Sequence, residues 1–205
     1  MIERLKPGDR LVIASHNKGK VVEFRDLLAP MRIALLSSGE LGVPEPEETG
    51  DSFTANAELK AVATAEATGL PSLADDSGIE IEALGGAPGI YSARWAGASR
   101  DFGAAMKRVE DELREKGALG SAPRANFTCV LCLAVPGGER QSFEGKVFGH
   151  LRFPPRGANG FGYDPIFVPG GHTISFGEMA PADKHRISHR AVAFERFAKA
   201  LLPRI

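Results

Sequence analysis

Two cysteines are all that the sequence offers for disulfide or thiolate chemistry, and both fall in one run, ANFTCVLCLAV, as Cys129 and Cys132. That run reads as a strand, where positions i and i+3 point to opposite faces, so the CxxC does not aim two sulfurs at one metal or form a redox pair. Two small buried apolar residues are expected instead. Net charge is also nearly absent, at −1, which argues against broad attraction to nucleic acid or an anionic membrane but leaves room for a local basic pocket. No stretch approaches the roughly 18 apolar residues that a spanning helix requires. The opening MIERLKPGDRLVIAS lacks a secretory apolar core and cleavage site, so a cytoplasmic address is expected. What is present is a chain of 205 residues, 43% hydrophobic and 25% charged, which suffices for one domain with a real core.

Glycine is the residue in excess. There are 24, gathered in loops, as in chains whose backbone approaches a ligand closely. Between these loops the pattern alternates. RLVIAS (10–15) reads as a buried strand, and a helix follows over 18–28 with Val21, Phe24 and Leu28 on one side. RIALL (32–36) reads as a second strand, and 37–51 as a loop rich in Pro and Glu. An Ala-rich helix is expected from Ser52 to Thr68, capped by Asp51 or Ser52 and stopped by Gly69. PSLADDS and IEIEAL read as strands with a bend at Gly78. A helix over 101–116 carries Phe102, Ala105, Met106, Val109 and Leu113 on one stripe. An antiparallel hairpin turns at Pro-Gly-Gly, and a last helix starts near Ser188. The order predicts an α/β fold with a mixed sheet and flanking helices, in a single domain over residues 1–205.

Several motifs carry possible chemistry. SHNKGK (Ser15, His16, Asn17, Lys18, Gly19, Lys20) lies between a strand and a helix start, where free N–H groups and the positive helix end suit a phosphate; an ordinary capped helix start is the alternative. It is not a Walker A loop, because the GxxxxGK[ST] spacing is absent. Asn56 and Lys60, four apart, share a helix face that looks either to solvent or into a polar cleft. In LADDSG, Asp75 and Asp76 point to opposite strand faces, so one is structural and the other chemical. A carboxylate at that place, where the strand is expected to turn, suits Mg²⁺, with the Glu47-Glu48 pair as a source of a second ligand and a nearby Asp to activate water; two turn-forming acidic residues are the alternative. In NGFGYDPIF, Phe161 and Tyr163 either stack on a base or plug an apolar gap. In DKHRISHR, the cations Lys184, His185, Arg186, His189 and Arg190 crowd a helix start, where they oppose the macrodipole; an anionic or carbonyl-bearing ligand would offset this, and a solvated patch is the plainer reading.

These motifs, in this order over about Leu11 to Leu202, resemble the inosine triphosphate pyrophosphatase family, the RdgB-like dITP/XTP pyrophosphatases. The resemblance implies an elongated mixed sheet in two lobes around a central substrate cleft. It implies Mg²⁺-dependent hydrolysis of deaminated purine nucleoside triphosphates (ITP, dITP, XTP) to monophosphate and pyrophosphate, by a homodimer that cleanses the nucleotide pool. On it, Ser15 to Lys20 and Lys60 match phosphate-facing positions, and Asp76 matches the catalytic and metal-binding carboxylate. Glu47 matches the second metal ligand and Ser77 a substrate contact. Phe161, Gly162, Tyr163, Asp164, Lys184, His189 and Arg190 match the nucleotide and base pocket. His16 stands where glycine is common in the family, and Trp95 where tyrosine is frequent.

Overall fold

Short apolar runs separated by helical stripes build a six-stranded sheet with helices between its strands. The structure, a computed structural model, describes residues 2–202, apart from the side chains of Lys18 and Ser121. Strands β1 (Arg10–Ile13), β2 (Ala34–Ser37), β3 (Ser72–Ile81), β4 (Arg124–Ala134), β5 (Arg140–Leu151) and β6 (Phe167–Pro169) stand in the order β2-β1-β3-β4-β5-β6. β1 is parallel to β2 and to β3, whereas β5 and β6 are antiparallel. Parallel neighbours need crossovers. Helices α1 (Lys18–Leu28) and α2 (Phe53–Thr68) provide them, linking β1 to β2 and β2 to β3. The short α3 (Ser92–Trp95) and α4 (Phe102–Glu115) precede β4, and α5 (Pro181–Ile187) and α6 (His189–Leu201) follow β6. This is the predicted α/β class with a mixed sheet.

Local chemistry accounts for the main boundaries. Ser52 Oγ accepts from Ala55 N–H at 3.2 Å to start α2, and Gly69, at φ 66°, ends it in the left-handed conformation. Asp101 caps α4 by accepting from Ala104 N–H at 2.9 Å. The chain forms two compact units. One comprises the described residues up to Asp76, Val130–Glu144 and those from Ala193 onward; the other comprises Ser77–Cys129 and Gly145–Val192. In the first, Leu11, Ile13, Phe24, Leu28, Leu73 and Phe197 are fully buried. In the second, Ile79, Ile81, Val109, Leu113, Phe167 and Phe176 form the centre of a core that also takes in Phe127 and Tyr163.

Three expectations are corrected. β3 runs unbroken through Gly78, because a glycine permits a bend without requiring one, and the residue is buried inside the sheet. The Asp75-Asp76-Ser77 sequence therefore lies within a strand and not at a turn. β2 begins at Ala34, because Arg32 takes a left-handed φ of 54° after a short 3₁₀ turn. DKHRISHR spans two helices: Lys184, His185 and Arg186 lie in the last turn of α5, where the macrodipole favours cations. The electrostatic conflict expected there does not arise for these three.

Both cysteines are fully buried in β4, and burial pushes the Cys132 thiol up to about 11. Ellman's reagent should therefore find no reactive thiol in the native protein and two after denaturation in guanidinium. A thiol that reacts promptly in the native state would contradict this packing.

Candidate active site

β3 lies between β1 and β4, and its two adjacent carboxylates meet different partners. Asp75, buried, takes the Lys20 ammonium on both oxygens, at 3.0 and 2.9 Å. Asp76, 7% exposed, receives Lys60 Nζ on Oδ1 at 3.4 Å. Lys60 is buried on α2 and donates to Glu48 Oε1 at 2.6 Å. Asp76 Oδ2 is buried and has no hydrogen-bond partner among the described residues. Asp75 thus sits in an ion pair whose lysine stays partly exposed, and Asp76 is a carboxylate with an oxygen to spare.

The charges follow from this packing. Burial is the largest influence on Asp76 and pushes its carboxyl up to about 6; Lys60 opposes the rise, and Glu48 and Asp75 add to it. For Lys60, burial disfavours the ammonium, yet the charges of Asp76, Asp75 and Glu48 outweigh it and hold its pKa above the ordinary value. The Lys60 face is therefore a built polar site, not a solvated one. Glu47 is exposed, with no hydrogen bond or ion pair among the described residues.

SHNKGK forms the turn from β1 into α1 and largely satisfies itself. Asn17 Oδ1 accepts from Gly19 N–H at 3.0 Å and Lys20 N–H at 3.3 Å, and Ser15 Oγ accepts from Asn17 N–H at 3.1 Å. No acidic residue stands in the first turn of α1, and the neutral Asn17 cap meets the positive helix end. His16 is exposed and sets Nε2 2.7 Å from the Val43 carbonyl oxygen, at the start of the acidic loop. The Lys18 side chain lies outside the described residues.

The second unit carries the other expected residues. Ser77 Oγ accepts from Arg190 Nη2 at 3.4 Å. Arg190 and His189 are buried at the start of α6, and the His189 ring stacks on Phe127 with centroids 4.9 Å apart and planes 14° apart. Lys184, also buried, donates to Asp164 Oδ2 and lies 4.8 Å over the Phe161 ring. Asp164 Oδ2 also accepts from Phe161 N–H at 2.7 Å. Burial nevertheless keeps the Asp164 carboxyl above its ordinary range, against the pull of Lys184.

The two aromatics of this loop divide their roles. Phe161 is 56% exposed, whereas Tyr163 is 2% exposed, packs edge-on against Phe102 at 5.6 Å and donates its hydroxyl to the Ser92 carbonyl at 2.9 Å. Gly162 between them needs its left-handed φ of 66°. Tyr163 thus plugs the core, and Phe161 is the ring left to stack on a planar ligand.

Sequence reasoning missed three residues of this machinery: Glu48 as the Lys60 partner, Phe127 behind His189, and Ser92. Ser92 Oγ accepts from Ile79 N–H at 3.0 Å and donates to the Gly89 carbonyl at 2.6 Å, tying β3 to the Gly89–Tyr91 turn. The alternation in IEIEAL signals a buried Ile79, but nothing local points to its partner 13 positions on.

The raised Asp76 pKa carries a stability consequence. Between pH about 4 and 6 the native protein holds a proton that the unfolded chain has released, so Asp76 lowers stability as pH rises through that window. Asp76→Asn should stabilise the metal-free protein at pH 8, by on the order of 1–3 kcal/mol, with Lys60 still held by Glu48. The gain should vanish below pH 4. Thermal melts in EDTA check this, and an equal or lower melting temperature for the variant at pH 8 would contradict the assignment.

Comparison with known proteins shows the family to which the chain belongs. Residues 11–200 match the model of the Ham1 family. A dITP/XTP pyrophosphatase of Rhodospirillum centenum is 58% identical over 189 residues, 92% of this chain and 93% of that protein. One of Zymomonas mobilis is 56% identical over 199 residues, 97% of this chain and 94% of that protein. The solved structure of a HAM1 protein from Coxiella burnetii is similar at a TM-score of 0.88 and 38% identity, over 93% of this chain and 97% of that one. A Mycobacterium abscessus structure described as nucleoside-triphosphatase / dITP/XTP pyrophosphatase gives 0.74 at 37% identity, over 92% and 98%. Sequence and fold match together along nearly the whole chain, and on both grounds it belongs to the Ham1 family.

Proposed function

We propose that this protein is a nucleoside triphosphate pyrophosphatase that hydrolyses ITP, dITP and XTP to the monophosphate and pyrophosphate, cleansing the nucleotide pool. The observation that carries the reading is Asp76: a buried carboxyl poised at about 6, with one oxygen lacking a donor among the described residues and a buried lysine against the other. A carboxylate so tuned accepts a proton from water near neutral pH. The curated relatives named dITP/XTP pyrophosphatase support the substrate class.

The donor set fits Mg²⁺. Among the described residues no three His, Cys, Asp or Glu side chains gather in ligating positions, and Mg²⁺ commonly takes only one or two carboxylates and fills the rest with water and phosphate. Asp76 through Oδ2 and Glu47, which is exposed and uncommitted, would hold the ion, while Glu48 stays with Lys60. Bound there, Mg²⁺ would neutralise phosphate charge and polarise the phosphoryl group. The chain's own groups do the rest. Asp76 orients a water and takes its proton as the oxygen attacks the α-phosphorus in line; pyrophosphate leaves. Lys60 and Lys20, pre-oriented by their carboxylates, meet the negative charge that develops on the phosphates.

Base selection is assigned to the buried His189–Arg190 pair of α6, with Phe161 as the stacking face. Inosine and xanthine present a 6-oxo acceptor where adenine presents an amino donor, and a guanidinium such as Arg190 donates to the first and meets the second donor to donor. A site built around that bond rejects a substrate unable to make it. On the family resemblance, we also assign the protein to the cytoplasm as a homodimer acting on free nucleotides, apart from membranes and nucleic acid polymers.

Pyrophosphate release measured with ITP, XTP, GTP and ATP, with Mg²⁺ and with EDTA, tests the reading. ITP and XTP should exceed ATP by at least about 100-fold in kcat/KM, and EDTA should abolish all turnover. Equal rates with ATP would sink the base assignment, and full activity in EDTA the metal. The pH profile of kcat/KM should fall below about pH 6 as Asp76 takes up its proton, with the limb displaced downward at high Mg²⁺. A profile flat to pH 4.5 would remove Asp76 as the base.

A further inference from the structure

Helix α2 buries Phe53, Ala57, Ala61 and Ala65 in the first unit, and beside Thr64 it also buries two larger polar side chains, Asn56 and Lys60. They stand one turn apart and reach the same segment. Lys60 Nζ donates to Glu48 Oε1 at 2.6 Å, and Asn56 Oδ1 accepts from Gly50 N–H at 2.8 Å. Residues 43–50 belong to no helix or strand, so no ladder holds them in register. The approach at Gly50 is as close as a backbone permits. A β-carbon there would stand 2.7 Å from Asn56 Oδ1, 2.8 Å from Ala55 Cβ and 2.9 Å from Asn56 N. Asn56 is fully buried, and its Nδ2 has no hydrogen-bond partner among the described residues. An apolar residue would avoid that cost at a core-facing position. Packing alone therefore does not explain an asparagine here; holding the acidic segment does.

We propose that Asn56 is a positioning residue: with Lys60 it clamps the Glu47–Gly50 segment onto α2, so that Glu47 is presented to the divalent cation together with Asp76. The inference rests on the metal-dependent reading above and assigns Asn56 no contact with the reacting atoms. Loss of a group that orients metal ligands typically weakens metal affinity by about 10- to 100-fold. Lys60 holds the segment by an ion pair that also serves Asp76, so Asn56 is the member of the clamp that can be altered without touching that pair.

The test uses the full chain and three variants. Asn56→Ala removes the acceptor, Asn56→Asp keeps one for Gly50, and Gly50→Ala opens the same contact from the loop side. Mn²⁺ binding followed by electron paramagnetic resonance, without nucleotide, is the readout independent of turnover. Hydrogen exchange of the peptide containing the Gly50 amide reports the clamp itself. Asn56→Ala and Gly50→Ala should each weaken Mn²⁺ binding and raise the Mg²⁺ requirement for ITP hydrolysis about tenfold, with kcat recovered at saturating Mg²⁺. Asn56→Asp should retain both the exchange protection and the metal affinity. Folded Asn56→Ala that binds Mn²⁺ as the parent does would overturn the proposal; if that variant does not fold, the same result for Gly50→Ala overturns it. Should the parent protein release no pyrophosphate while the Mn²⁺ affinities still separate as stated, the positioning role stands and the assigned reaction falls.

Discussion

A lysine buried on α2, between Glu48 and Asp76, is the constraint from which the first unit's chemistry follows. Burial disfavours an ammonium at that depth, and the charges of Asp76, Asp75 and Glu48 outweigh it and hold the pKa above its ordinary value. The same contact ties a loop without regular structure to a helix. It also leaves Asp76 with one oxygen engaged weakly and the other without a hydrogen bond among the described residues. Burial then lifts the Asp76 carboxyl to about 6, where it exchanges protons near neutrality. The arrangement costs stability, as built active sites commonly do.

The second unit uses a different device. Its polar groups are oriented by aromatic rings and one serine, not by opposing charges alone. Phe127 flattens His189 against the core, and Phe161 lies under the Lys184 ammonium that Asp164 holds. Tyr163 and Ser92 fasten the loop from behind through a phenol-to-carbonyl bond. Rings have few rotatable bonds and large buried areas, so they hold a polar neighbour in place at little conformational cost. Of Phe127, Phe161 and Tyr163, it is Phe161 that remains exposed enough to offer a face.

Much of this is legible in the sequence, for physical reasons that can be named. Strand alternation by itself separates Asp75 from Asp76, and the helical spacing of Asn56 and Lys60 places them on one face. Composition and apolar periodicity yield the mixed α/β class. What stays hidden is non-local. Nothing near Asp75 announces Lys20, 55 positions earlier, and nothing near His189 announces Phe127. Glu47 and Glu48 sit in a loop without periodicity, so no rule says which one turns toward Lys60. Gly78 reads as a bend because glycine is usually punctuation, whereas here it lies extended inside β3. The break between α5 and α6 at Ser188 is masked by the basic residues around it, which together suggest a single helix start.

The central claim is that Asp76 directs water to the α-phosphorus of a purine nucleoside triphosphate. Single-turnover hydrolysis of ITP in ¹⁸O-water, with mass analysis of both products, tests it most directly. The account predicts one heavy oxygen in inosine monophosphate and none in pyrophosphate. Label in pyrophosphate, or in free phosphate, would place the attack on another phosphorus and contradict it.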